Sequence, residues 1–193
     1  MQKGLTIFAG LLALISLLFY GYAILYKGKE PVKASWIIWT IVDLGFFFSM
    51  YEKHAVNGQI VGGAVGTCII LILALRYGSL AWKPLHTYCL AVSVIGVILW
   101  KISHDSLYGI WASLIANSIG CLPTFDSAWQ HPEREDKLAW AIGWFGSLCA
   151  IAAIPHVTWE DAAQPVSFFI TQSTALCVLV IRTHVVQYRI LSP

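Results

Sequence analysis

Ser35-Trp36-Ile37-Ile38-Trp39-Thr40-Ile41-Val42-Asp43 opens an apolar segment spanning residues 34–51. At helical spacing Trp36, Trp39, Thr40 and Asp43 stand at i, i+3, i+4 and i+7, so they share one face. A carboxylate inside a membrane-length apolar segment is costly. By default it marks a functional position turned toward protein or water instead of lipid. The pattern returns 104 residues on, in Ala139-Trp140-Ala141-Ile142-Gly143-Trp144-Phe145-Gly146-Ser147. Trp36 aligns with Trp140, Thr40 with Trp144 and Asp43 with Ser147, giving two copies of one polar-aromatic face in an otherwise oily chain.

The 193 residues are 58% hydrophobic and 11% charged, with a mean hydropathy of +0.72. A soluble domain is roughly 25% charged and 45–50% apolar, so the composition predicts an all-α integral membrane protein. A net charge of +2 without any Lys/Arg-rich run is too small to suggest a nucleic-acid partner, and none is expected. Cys68, Cys89, Cys121, Cys149 and Cys177 lie in apolar segments without CxxC spacing. They read as small core hydrophobes, neither a disulfide set nor a metal site. The chain has no glycine-rich phosphate loop, nucleophile elbow or HExxH pattern, so neither an enzyme nor a cofactor is expected.

Seven apolar segments are expected to span the bilayer, near 4–26, 34–51, 59–77, 86–101, 107–127, 138–155 and 165–186. The first lacks a small-residue cleavage pattern and reads as a retained helix. Lys27, Lys29, Lys33, Arg76, Lys83, Arg134, Lys137, Arg182 and Arg189 fall on one side of this topology, against Lys3, Lys53 and Lys101 on the other. That imbalance puts the C-terminus in the cytoplasm and the N-terminus outside.

An internal repeat refines the plan. Residues 19–36 lie over 123–140 without a gap, and Gly66 to Arg76 lies over Gln172 to Arg182 at an offset of 106. The expected organisation is a three-helix repeat at 1–78, a connector helix at 79–104 and a second three-helix repeat at 105–193. One connector between three-helix units restores the orientation, so the repeats are parallel.

Leu122-Pro123-Thr124, followed by a charged loop and Trp140, resembles the SWEET/PQ-loop superfamily with its three-plus-one-plus-three plan. Trp36-Ile37-Ile38-Trp39 with Asp43 is similar to the Trp-x-x-Trp motif of nicotinamide riboside transporters. The stretch Lys29-Glu30-Pro31-Val32-Lys33-Ala34-Ser35-Trp36 most resembles the Lys-Pro-x-x-x-Ser/Thr-Trp motif of small bacterial SWEET-like membrane proteins, with a glutamate inserted. The resemblance implies a bacterial inner-membrane protein that moves a small solute by alternating access, with Pro123 as hinge. It names no substrate, because Thr67, Gln172 and Ser173 stand where sugar carriers have paired asparagines.

The candidate substrate-binding residues are Trp36, Trp39, Asp43, Thr67, Asn117, Trp140, Trp144, Ser147, Gln172 and Ser173. Indole faces can stack on a sugar, nucleobase or amine. Asp43 has two roles open to it, proton coupling or pairing with a cationic or hydroxyl-rich substrate. Trp82, Trp100, Trp129 and Trp159, at helix ends, suit interfacial belts. Glu133 to Lys137 reads as a solvated turn, and His54, His104 and His131 as solvated loop residues. The expected partners are the lipid bilayer and a small-molecule substrate such as a vitamin, nucleoside, amine or sugar. Homo-oligomer formation stays open. The alternative to a transporter is a receptor or sensor that binds a ligand without moving it.

Overall fold

The computed structural model describes residues 2–79, 84–103 and 105–191. Trp82, Lys83 and His104 lie outside these, as do the side chains of Cys89 and Arg189. The described chain is helical: α1 (Gln2–Tyr26), α2 (Lys33–Glu52), α3 (Gly58–Tyr77), α4 (Pro84–Ser103), α5 (Ser106–Gly120), α6 (Leu122–Gln130), α7 (Lys137–Ala152) and α8 (Trp159–Leu191), with a 3-10 turn at Pro132–Arg134. Among the described residues the sole β-type pairing is an isolated bridge between Val32 and Ser79. It ties the α1–α2 loop to the end of α3.

Helix ends follow local chemistry. Asn57, Asp105 and Asp136 each accept a backbone N–H in the first turn of α3, α5 and α7, at 3.0, 2.9 and 3.0 Å. α1 stops where Gly28 takes φ +64° and the Lys29 N–H turns back to the Ala23 carbonyl. The fifth apolar segment is two helices, broken at Cys121, because Pro123 cannot donate to the ladder and is tolerated only in the opening turn of α6. α8 begins at Trp159, earlier than the apolar pattern suggested. Glu160 and Asp161 suit its N-terminal dipole, and the Thr158 hydroxyl accepts the Asp161 N–H.

The helices close a ring. Round it, α1 packs on α3, α3 on α2, α2 on α5, the α5–α6 arm on α8, α8 on α7 and α7 back on α1, while α4 leans on α5 and α2 from outside. Two seams rest on missing side chains. Along α1 and α3, a Cβ on Gly10 would sit 2.6 Å from the Gly58 carbonyl oxygen, and Cβ atoms on Gly58 and Gly62 would overlap the Thr6 and Gly10 carbonyls. The two helices therefore run parallel with their backbones in contact, as small-residue motifs allow. Along α2 and α5, Gly45 meets Ser113, Gly109 meets Ser49 and Gly120 meets Ile38, an antiparallel register.

The polarity is turned inside out. Ser35, Thr40, Asp43, Gln59, Asn117 and Gln164 are buried, while Ile7, Leu11, Leu18, Ile72, Ile98 and Ile170 stand exposed on the outer surface. So much outward apolar surface suits lipid, not water. Among the described residues five helices are long and apolar enough to cross a membrane: α1, α2, α3, α4 and α8 over Trp159–Val185. α7 is apolar but shorter.

Trp129 and Trp159 are exposed near helix ends, in keeping with an interfacial place. Trp100 departs from that expectation: it is only 6% exposed and packs beside Gly109. Cys121 and Cys149 are buried and Cys68 half-buried, whereas Cys177 faces outward and is no core residue.

The glycine seam is directly testable. Gly62→Ala should lower thermal stability in detergent by about 1–3 kcal/mol, since overpacking outweighs the helix-propensity gain. Gly4→Ala, with nothing within 4 Å, should be neutral or slightly stabilising.

Candidate functional site

Within the ring lies a cavity of about 100 Å³. Each helix of the ring except the α6 arm reaches it: Ser16 and Tyr20 from α1, Trp36, Trp39 and Asp43 from α2, Gln59, Gly63 and Thr67 from α3, Asn117 from α5, Trp140 and Gly143 from α7, and Phe168, Thr171 and Gln172 from α8. Small-molecule pockets usually run about 300–1,000 Å³, so this cavity is small in the present conformation.

Asp43 sits midway along the cavity, 4% exposed. The face predicted for α2 is formed: Trp36, Trp39 and Asp43 all point inward, while the Thr40 hydroxyl donates to the Trp36 carbonyl at 2.8 Å and reaches the Thr67 carbonyl at 3.3 Å. Thr67 lies beside the Asp43 carboxyl. Among the described residues no lysine, arginine or histidine forms an ion pair with Asp43.

Above Asp43, toward the α1–α2 loop, the cavity is walled by aromatics. Tyr20 packs on Trp36 with centroids 5.1 Å apart, Trp36 on Trp39 at 5.2 Å and 86°, and Trp39 on Trp140 at 5.9 Å and 71°. Nearly perpendicular rings make a box more than a flat platform. The Trp39 indole Nε1 is buried without a hydrogen-bond partner.

Glu135 caps this end. The Tyr20 hydroxyl donates to its Oε2 at 2.9 Å and the Trp140 Nε1 donates to the same oxygen at 3.0 Å. Beside it Lys27 Nζ pairs with Asp136 at 2.9 Å, and Lys29 donates to the Glu133 carbonyl. Glu135 is 3% and Asp136 6% exposed, so the expected solvated turn is instead a closed clasp between the α1–α2 and α6–α7 loops. Burial pushes the Glu135 carboxyl above the usual range, with Trp140 and Tyr20 pulling the other way. For Asp136 burial acts upward too, but Lys27 and the Ala139 N–H hold it below the usual range.

At the opposite end the closure is made of amides. The Gln59 Nε2 donates to the Ser147 hydroxyl at 2.6 Å, which in turn donates to Gln172 Oε1 at 2.6 Å. Gln164 Nε2 donates to Gln59 Oε1 at 3.2 Å, and Asn57 Nδ2 donates to Gln164 Oε1 at 2.9 Å. This chain runs across α3, α7 and α8. On one side Asn117 Nδ2 donates to Ser167 at 2.8 Å and Thr171 at 3.1 Å, binding α5 to α8.

Of the residues singled out in the sequence, Trp36, Trp39, Asp43, Thr67, Asn117, Trp140 and Gln172 line the cavity. Ser147 stands just behind, fixing Gln59 and Gln172. Trp144 and Ser173 do not line it. The Trp144 Nε1 donates to the Ser173 hydroxyl at 2.8 Å, holding α7 to α8 away from the cavity. Pro123 is buried at the break between α5 and α6.

Tyr20, Gln59, Gln164, Glu135 and Asp136 escaped the sequence reading. For the clasp a signal existed: the predicted topology puts Lys27-Gly28-Lys29 and Glu133 to Asp136 on one side of the membrane, with opposite charge. For the glutamines there was none, since an amide at a helix end is usually solvated.

No family model matches the chain, and no curated protein or solved structure does either.

The two clasp carboxylates should titrate with opposite sign. Asp136 stabilises the fold above its unfolded value of ~3.9, a contribution lost as pH falls through its lowered folded value. The Glu135 contribution is full below ~4.3 and fades as pH rises through its raised folded value. Melting of purified protein across this range should therefore show Glu135→Gln flattening the loss of stability above ~pH 4.3. Asp136→Asn, which keeps the cap but not the ion pair, should flatten the acid limb.

Proposed function

We propose that the chain is a seven-helix membrane carrier of a small polar solute, working by alternating access and having no enzymatic role. In this reading residues 1–78 and 105–193 are parallel three-helix repeats, with 79–104 as connector. The fifth span is the broken α5–α6 pair. The N-terminus lies outside and the C-terminus in the cytoplasm of a bacterial plasma membrane.

One observation carries the proposal: a cavity inside the ring is bordered at each end by polar contacts that can be exchanged, not by continuous apolar packing. A packed apolar plug has no second arrangement of similar energy, whereas hydrogen bonds can be traded for water when an end opens. The ring order supports the repeat reading. Turning it half-way maps α1 on α5–α6, α3 on α8 and α2 on α7, and each contact between neighbours falls on another contact. Pro123 stands at the break in the arm that would flex, and Pro165 lies inside α8.

Solute uptake or counterflow in proteoliposomes tests the proposal. Transport that saturates with solute supports it; saturable binding without movement would mean a receptor. Pro123→Ala should fold and bind but turn over severalfold more slowly, and unchanged turnover would reduce the break to packing. In a background with the native cysteines replaced, Glu30→Cys should label from the cytoplasmic face and His54→Cys from outside.

A further inference from the structure

We propose that the solute is a small organic cation, an alkylammonium, with its charge on Asp43 and its alkyl groups against Trp36, Trp39 and Trp140. This rests on the cavity being the solute site. Asp43 is the single charged side chain among the described residues lining it, so the cavity is electrostatically suited to a cation and hostile to an anion.

The remaining lining decides between a cation and a neutral polyol. A sugar or nucleoside needs many hydrogen-bonding groups free to receive it. Here many of the donors are engaged within the protein: both Asn117 contacts go to α8, Gln59 donates to Ser147, the Tyr20 hydroxyl and the Trp140 Nε1 donate to Glu135, and Thr67 donates to the Ala64 carbonyl at 3.3 Å, while the Trp39 Nε1 is left without a partner. Beside them the cavity presents a single carboxylate, with Thr67 next to it, and a set of indole faces.

That is the chemistry that recognises ammonium groups, by charge and by the negative faces of the rings. The rings meet near right angles, so they present walls around a compact, roughly spherical group more than a bed for a flat one. An inorganic cation is a poorer match. Calcium or magnesium takes six or more oxygens, and among the described residues no cluster of three metal-ligating side chains exists.

The cavity volume of about 100 Å³ points to a cation of a few carbons. Its lining by side chains from α1, α2, α3, α5, α7 and α8 suits a free solute.

The experiment pairs a cation with its neutral twin. Purified protein in a maltoside detergent, which carries no ammonium headgroup, is titrated with tetramethylammonium, choline and 3,3-dimethylbutan-1-ol, the uncharged carbon analogue of choline. The expected result is saturable calorimetric binding of the two cations, and binding of the alcohol weaker by about tenfold or more. Asp43→Asn should weaken choline by a similar factor, and Trp39→Leu should weaken it while leaving the monodisperse fold intact.

Equal binding of choline and the alcohol, no binding of either cation, or undiminished choline binding by folded Asp43→Asn each overturns the proposal. If Asp43→Asn does not fold, the comparison on the unmodified protein still decides. Phosphatidylglycerol proteoliposomes then separate this inference from the carrier reading. Choline bound but not moved retains the cation site and ends the carrier. Transport of a neutral solute without choline binding retains the carrier and ends the cation site.

Discussion

A polar atom in a bundle of apolar helices has no water to fall back on, so it must find its partner on a neighbouring helix. That requirement shapes much of the interior of this protein. Asn117 reaches Ser167 and Thr171, Trp144 reaches Ser173, and Gln59 joins Ser147 and Gln164. Each bond spans two helices, so the polar side chains act as the connections between elements that hydrophobic packing alone would leave free to slide. Departures exist: the Trp39 Nε1 has no partner, and the Asp43 carboxyl has Thr67 beside it but, among the described residues, no cation in an ion pair.

Backbone proximity sets where these bonds can form. The parallel approach of α1 and α3 depends on Gly10, Gly58 and Gly62, and with α1 drawn in, Tyr20 reaches the α6–α7 loop. The antiparallel seam of α2 and α5 similarly puts Trp39 beside Gly120, at the break ahead of Pro123. The cavity is thus a by-product of where small residues lie: helices touch closely along the seams and part between them. Its two ends differ in chemistry. One is aromatic and charged, held by Glu135 and the Lys27–Asp136 pair; the other is neutral and made of amides. In the proposed carrier, such a difference would let proton activity and ionic strength act on one end far more than on the other.

The sequence by itself determined the helical class, the apolar segments, the break near Pro123 and the inward face of α2. All of these are local: hydropathy over about 20 residues, helical period and the missing proline donor are properties of neighbours in the chain. Trp36, Trp39 and Asp43 could be grouped because one helix carries them. What only the tertiary structure decided is which side chains meet across helices. Trp144 and Ser147 look equivalent to Thr40 and Asp43 by spacing, yet Trp144 turns to Ser173, because the helical face that spacing defines is wider than the cavity and rotation about the axis is set by packing. Glu135 and Asp136 read as a hydrophilic turn, and their burial exists only because the α1–α2 loop folds over them with two lysines. Gln59 and Gln164 lie 105 positions apart; no local pattern registers a partnership made by the closing of a ring.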